Sequence, residues 1–320
     1  MIACTFNGAK FIREQLVSII MQSRPPDEIL IFDDCSTDNT LQLINEVVQE
    51  TAFPVHLHIN SRNKGFVRNF EFALSQCTND IVLFSDQDDV WLDNKISRLE
   101  EIFTQNQSIV CITHDGEFIT ETSERTGYKK NEQISRAYGK TKIPITGALT
   151  AIRRSCIDMI HPFPSNVTGH DIWLTYFFNH FPDRWLIITD TLQYIRRHDS
   201  NTSQWVVNEA KKVGRIDVFK EEFKTRVASS YFDRLLLNKT LRERVLSCEF
   251  FAQKKISFSH KSSTLSQLQR ERRAICSRHR IARTKRKFKR TIMSIFMLVT
   301  FQYRYFNGIK SFARDFFRRL

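Results

Sequence analysis

Residues 80–91 read DIVLFSDQDDVW, a short apolar run followed by three carboxylates within four positions. The run Asp80–Phe84 is brief, bounded and rich in Ile, Val, Leu and Phe, which predicts a buried strand. Asp86, Asp88 and Asp89 follow where that strand must end. Two carboxylates at i and i+2 just past a strand suit a hard divalent ion such as Mg²⁺ or Mn²⁺, which takes oxygen ligands and bridges them to phosphate. The plainer reading is a solvated acidic turn capping a helix that starts near Leu92. The motif alone does not separate the two.

Working outward, the same kind of run recurs at Ile2–Thr5, Glu28–Phe32, Val55–Ile59 and Ser108–Thr113. Between the runs lie stretches with apolar spacing near 3.6, for example Phe11, Leu16, Ile19 and Ile20. Strand–helix alternation predicts an α/β fold, a mainly parallel sheet flanked by helices on both faces. Ligands in such sheets bind beyond the carboxyl ends of the strands. A second polar cluster, DDCSTDNT at 33–40, falls at such an end. Ser36, Thr37 and Asp38 can cap a helix starting near Thr40. Capping does not account for the doubled carboxylate Asp33–Asp34, which can accept hydrogen bonds from a base or ribose.

Two later segments carry chemistry. HDIW at 170–173 opens a hydrophobic helix, so Asp171 is either a helix cap or a carboxylate placed to take a proton. YIRRHDSNTS at 194–203 sets His198 after a strand-like run, as a structural histidine or a metal ligand. Residues 116–145 are polar without clear period and read as loop-rich or irregular strand.

The 320 residues are 41% hydrophobic and 26% charged, as in an ordinary globular chain. Net charge is +13, unevenly spread. Residues 1–200 carry 19 Lys+Arg against 26 Asp+Glu, and residues 201–320 carry 29 against 9. An acidic body with a basic tail suggests two jobs. Seven scattered cysteines without CxxC argue for reduced thiols rather than a disulfide frame or a zinc site. The chain enters a strand directly, so no signal peptide is expected, and only Met1–Thr5 precede the first turn. From about 204 onward the pattern is helical, with Val218, Phe219 and Phe223 among its apolar positions. Residues 270–290 are strongly basic, and an apolar stretch, Thr291–Tyr303, follows. Phe306, Ile309, Phe312, Phe316 and Phe317 then alternate with Arg and Lys. The apolar stretch, 13 residues long, is too short to span a bilayer, and the region of about 285–320 suits its interface.

The stretches CTFNGAKFIREQLVSI, PDEILIFDDCSTDNT, NKGFVRNFEFAL, DIVLFSDQDDVW, ITGALTAIRRS, HDIWLT and YIRRHDSNTS, in this order over roughly residues 1–204, resemble family 2 glycosyltransferases of the GT-A fold. The likeness is greatest to the rhamnosyltransferase-like bacterial branch. It implies an inverting transferase acting on a nucleotide-sugar donor, with Mg²⁺ or Mn²⁺ as cofactor. Thr5 to Asn7 then look like part of the base pocket. Asp34, with neighbouring Asp33, resembles the pyrimidine-binding carboxylate. Lys64, Arg68 and Asn69 lie in the segment that faces the nucleotide. Asp86 and Asp88 match the DXD motif, Asp88 as metal ligand and Asp86 nearer the ribose. Asp171 matches the catalytic base and His198 the late histidine of the metal site. Gly147 falls in the segment lining the acceptor side. Cys35 departs from the usual glycine of DDGST, and Ile143–Arg153 lacks an acceptor signature.

The expected domains are a GT-A domain over 1–204 and a helical basic region over 205–320. The expected acceptor is a saccharide or a lipid-linked saccharide in cell-surface polysaccharide synthesis. The expected location is cytoplasmic, on the inner face of the cell membrane, with the basic C-terminus on anionic lipid and no nucleic-acid partner. A nucleotidyltransferase shares the sheet and acidic site, but TFNGAKF poorly matches its phosphate loop. A non-catalytic sugar-nucleotide binder is the third reading, and the joint presence of Asp34, Asp86, Asp88, Asp171 and His198 speaks against it.

Overall fold

The computed structural model describes residues 1–49, 51–138, 144–201, 206–209, 211–214, 230–247, 258–306 and 308–317. The helical pattern expected around Val218, Phe219 and Phe223 lies outside them, as do Thr202 and Ser203. The chain divides into two compact units. One comprises Met1–Phe163 and Val167–Thr225, and the other Pro164–Asn166 and Arg226–Leu320.

In the first unit, strands β1 (Ile2–Thr5), β2 (Ile29–Asp33) and β4 (Ile81–Ser85) are apolar runs buried on nearly every residue. Strand β3 (Val55–Ile59) alternates partly buried and exposed positions, as an edge strand does. These four pair in parallel in the order β3-β2-β1-β4. Parallel pairing sends the ends of β1, β2 and β4 to one edge, so the segments after Thr5, Asp33 and Ser85 become neighbours.

The sheet continues through β8 (Thr150–Arg153), antiparallel to β4, then β6 (Cys111–Ile119) and β9 (Trp185–Arg196). The two-residue β5 (Val90–Trp91) lies against β9, and β7 (Arg125–Lys129) pairs with β6. The second half of the sheet is therefore mixed, within the mainly parallel sheet that the alternation suggested.

Helices α1 (Ile12–Ile20), α2 (Thr40–Val48), α3 (Phe66–Ser75) and α4 (Lys95–Gln105) bury one stripe each. On α1 the stripe is Ile12, Gln15, Leu16 and Ile19, the i, i+3, i+4, i+7 spacing of an amphipathic helix. Ile12, Leu16 and Ile19 join Ile29, Ile31, Ile44, Leu99 and Phe103 in the main core. Each such side chain contributes about 1.5–3 kcal/mol on burial.

Residues 116–145 differ from expectation. They hold the end of β6, all of β7 and helix α5 (Lys130–Tyr138). β6 is buried along its whole length, so its polar residues face partners rather than water and the period-two signal is lost. Glu117 accepts two hydrogen bonds from Arg125, at 3.1 and 2.7 Å. Asp115 accepts from the Asn131 amide and so caps α5. Helices α6 (Ile157–Ile160) and α7 (His170–Phe178) complete the unit.

The second unit is helical: α8 (Ser230–Leu246), α9 (Phe258–Arg283), α10 (Lys287–Val299) and α11 (Ile309–Phe317). Its interior includes Ile281, Met297 and Tyr303, with Phe306 and Phe312 packed against them. Phe306 and Phe312 thus serve the interior of this unit, where the sequence pattern placed them toward lipid. Among the described residues no helix is long and apolar enough to cross a membrane.

Candidate active site

At the ends of β1 and β2 every carboxylate is held by donors. Asp33 is fully buried. It accepts from the Thr5 hydroxyl at 2.9 Å, from the Ser36 amide at 2.8 Å and from the Ser36 hydroxyl at 2.5 Å. Asp34 accepts from Asn60 Nδ2 at 2.9 Å and from the amides of Lys64 and Gly65, both at 2.8 Å. Gly65 has φ 81°, a left-handed turn that presents its N–H to Asp34 just before α3. Asp34 therefore fixes the entry to α3.

The remaining residues of this side divide by role. Asn69 is buried, donates to the Phe32 carbonyl at 2.7 Å and accepts from Asn60 at 2.9 Å, so it acts on the pocket through Asn60 and Asp34. Arg68 pairs with Glu71 at 2.5 Å. The exposed Lys64 ammonium donates to Asn60 Oδ1 at 2.7 Å and lies 4.5 Å over the Phe72 ring. Asn7, at φ 47°, donates its amide to Ser36 Oγ and accepts from the Thr37 amide, both at 2.9 Å. Asp38 accepts from the Thr40 amide at 3.0 Å, so here the plain capping reading holds. Cys35 has φ 68°, the left-handed conformation that the usual glycine adopts freely.

The segment after β4 is organised differently. Asp88 Oδ2 lies 2.8 Å from His198 Nε2 and 3.1 Å from Asn201 Nδ2. With Nε2 donating to Asp88, Nδ1 accepts from Ser200 Oγ at 2.8 Å. The Phe11 ring lies against the imidazole, with centroids 4.7 Å apart.

Asp89, buried, turns inward and accepts from the Arg196 amide at 3.1 Å and Gln193 Nε2 at 2.7 Å. The fully buried Lys95 donates to that same Gln193 and to the Ala148 carbonyl. The buried Arg196 guanidinium donates to the Asp88 carbonyl at 2.9 Å, the Glu121 carbonyl at 3.0 Å and Glu14 at 2.6 Å. Antiparallel pairing of Val90 with Tyr194 brings these two segments together. Asp89 was named only as part of the acidic cluster, and Gln193, Arg196 and Asn201 were not singled out in the sequence. The doubled acid after the DXD and the doubled arginine before His198 were the only local signals.

Asp171 stands in the first turn of α7, where the helix dipole favours an anion, and accepts from the Ile172 amide at 2.8 Å. A Cβ at Gly169 would sit 2.4 Å from Asp171 Oδ1, so a larger residue there would push the carboxylate from its present position. A Cβ at Gly147 would meet His170 Nε2 at 2.0 Å. Gly147 thus makes space for the buried imidazole, which is stacked on Phe84 with centroids 5.9 Å apart.

Asp86 ties the parts together. Burial, then the like charges of Asp88 and Asp171, push its carboxyl up to about 7. Three carboxylates thus share one electrostatic neighbourhood, opposed by the smaller effects of Lys95 and Lys130. The buried Lys130 ammonium is pulled down to about 8 by burial, which the charge of Asp171 partly opposes.

Among the described residues no group of three His, Cys, Asp or Glu forms a ready metal cage. Asp88 Oδ2 and His198 Nε2 lie 2.8 Å apart; with the imidazole proton on Nδ1, both atoms offer lone pairs to one ion, beside the raised carboxyl of Asp86. This donor set fits a hard cation whose other ligands come from phosphate and water.

Residues 1–160 match the family model Glycosyl transferase family 2, half of the chain, and the chain belongs to that family. An uncharacterized glycosyltransferase of Nostoc sp. is 27% identical over 264 residues, 76% of this chain and 80% of that protein. The dTDP-rhamnosyl transferase RfbG of Shigella flexneri is 37% identical over 110 residues, 32% of this chain and 37% of its own length. TarS of S. aureus, solved with UDP-GlcNAc, superposes with TM-score 0.57 at 14% identity, covering 98% of this chain and 89% of that one. A mannosyltransferase of Pyrobaculum calidifontis, solved with GDP-Man and Mn²⁺, gives 0.52 at 16% identity, covering 99% and 86%. At these identities the likeness is one of fold, and that fold is GT-A.

Proposed function

We propose that this glycosyltransferase is metal-dependent and inverting, with Asp171 as base and the Asp88–His198 pair as cation site. The observation carrying the reading is Asp86, which feels the like charges of both Asp88 and Asp171. Candidate metal ligand and candidate base thereby both act on one carboxyl.

Asp171 removes the proton of an acceptor hydroxyl. The freed oxygen attacks the anomeric carbon of the donor sugar from the face opposite the diphosphate. The bond from that carbon to the diphosphate oxygen breaks, nucleoside diphosphate leaves, and the configuration inverts. A Mg²⁺ or Mn²⁺ ion, when bound by Asp88 and His198, supplies positive charge beside the departing diphosphate. Asp86 lies toward the ribose. The backbone around Thr5, Asn7, Asp33 and Asp34 shapes the base pocket. Lys64 brings a positive charge to the nucleotide side.

The donor we favour is dTDP-rhamnose or a UDP-sugar, supported by the dTDP-rhamnosyl relative and by the TarS complex with UDP-GlcNAc. The acceptor class is a saccharide or lipid-linked saccharide of a cell-surface polysaccharide. The basic C-terminal region holds the chain on the cytoplasmic face of the membrane.

A donor screen with Mn²⁺ tests this reading by recording both nucleoside diphosphate and pyrophosphate. Nucleoside diphosphate release on one donor is expected. Pyrophosphate release would identify a nucleotidyltransferase instead, and binding with release of neither would identify a non-catalytic binder.

A further inference from the structure

Helix α10 is amphipathic with its faces reversed. The positions it buries are Arg290 at 4%, Ser294 at 0% and Met297 at 1% exposure. The large apolar positions it exposes are Phe288 at 80%, Ile292 at 51%, Ile295 at 44%, Phe296 at 57% and Val299 at 63%. At 3.6 residues per turn these five fall within one arc of about 100°, opposite the buried three. A helix on a water-facing surface carries the reverse arrangement. Just beyond its end, Phe301 is also exposed.

The inward orientation is held by the packing of this unit. Met297 belongs to the cluster with Ile281 and Tyr303. Beneath it, Asp315 accepts from Arg278 at 2.8 Å and from the Tyr303 hydroxyl at 3.0 Å. The apolar ridge is thus fixed outward by what lies under the other face. A contiguous exposed apolar strip of this kind marks an interaction surface.

Charge identifies what covers it. Lys285, Arg286, Lys287 and Lys289 are exposed around Phe288. On the helix, Lys289 borders the apolar arc and Lys287 stands at the N-terminal end, beside Phe288 in sequence. Between Glu271 and Asp315 the sequence holds 13 Lys or Arg and no acid. Cores of protein–protein interfaces are depleted in Lys. An apolar ridge bordered by long cations matches an anionic bilayer, where the ridge enters the acyl boundary and the ammonium groups reach headgroup phosphates. Thirteen residues span about 20 Å, short of the ~30 Å hydrocarbon layer, so the helix lies in the interface plane.

We infer that α10 docks on an anionic lipid surface through Phe288, Ile292, Ile295, Phe296 and Val299, with Lys287 and Lys289 on headgroups. This sharpens the membrane reading above and rests on it, not on the transfer chemistry.

The test is co-sedimentation of the full chain with two kinds of vesicle, phosphatidylcholine alone and equal parts phosphatidylcholine and phosphatidylserine. Wild type is expected on the serine-lipid vesicles, less so at high salt. Phe288→Ser/Phe296→Ser, at exposed positions that keep the fold by circular dichroism, weakens this binding at least about tenfold. Lys287→Gln/Lys289→Gln lowers the preference for the anionic vesicles by about tenfold. Wild type that sediments with neither vesicle overturns the inference, as does a serine double variant that binds equally well. A wild-type dimer in light scattering that the serine variant converts to monomer assigns the ridge to a second copy instead. None of these readouts needs turnover, so a chain that releases no nucleoside diphosphate still passes or fails this test.

Discussion

Two carboxylate clusters sit on neighbouring strand ends and are treated in opposite ways. After β2, Asp33 and Asp34 are saturated by hydroxyl, amide and backbone donors from three segments. After β4, Asp88 faces His198 and Asn201, while Asp86 faces the charges of Asp88 and Asp171, and burial with like charge lifts Asp86 to about 7. A carboxylate satisfied by donors is part of the scaffold and shapes what lies beside it. A carboxylate crowded by others favours whatever cation or proton relieves the repulsion. The difference teaches that the first cluster is a hydrogen-bonded scaffold, while the second sets a buried carboxyl against like charge.

The comparison breaks first at Asp171. Asp171→Asn keeps shape and removes the base, and turnover is expected to fall about 10³-fold with donor affinity unchanged. Unchanged nucleoside diphosphate release would remove Asp171 from the chemistry. Asp88→Ala comes next. By calorimetry, donor affinity in Mn²⁺ should fall by about 10- to 100-fold, while affinity in chelator stays as in wild type. An equal loss in both conditions would make Asp88 another scaffold acid.

Asp34→Asn probes the saturated cluster. It sets an amide N–H₂ against a backbone N–H at Lys64 or Gly65, and chemical denaturation should show a loss of about 1–3 kcal/mol. No loss would mean that the pocket does not depend on this carboxylate. The smallest effect is at the turn between them. Cys35→Gly relieves a left-handed φ of 68°, and stability should rise by up to about 1 kcal/mol, roughly 2–4 °C in Tm.

The motif residues were legible because each is local. The strand–helix alternation and the clusters at 33–40, 86–89, 171 and 198 need only a few neighbours to be recognised. Asn60, Gln193, Arg196 and Asn201 were not legible, since their roles exist only through partners far along the chain, such as Glu14, 182 positions from Arg196. β6 was misread because Thr113, His114, Asp115 and Glu117 are buried polar residues, and a pattern rule takes polarity for exposure. In the C-terminal unit periodicity revealed an amphipathic segment, but no period states which face turns inward. For α10 that is decided by Met297, Tyr303 and Asp315.

The two-residue ladder of β5 on β9 has a consequence for folding order. Asp88 and His198 are 110 positions apart, and that short ladder, with Gln193 and Arg196, carries one to the other. Closing so large a loop is entropically late, after the parallel strands have formed. Anything that bridges the two side chains ties that loop shut, so ligand occupancy at this rim and protease resistance of the whole sheet should rise together.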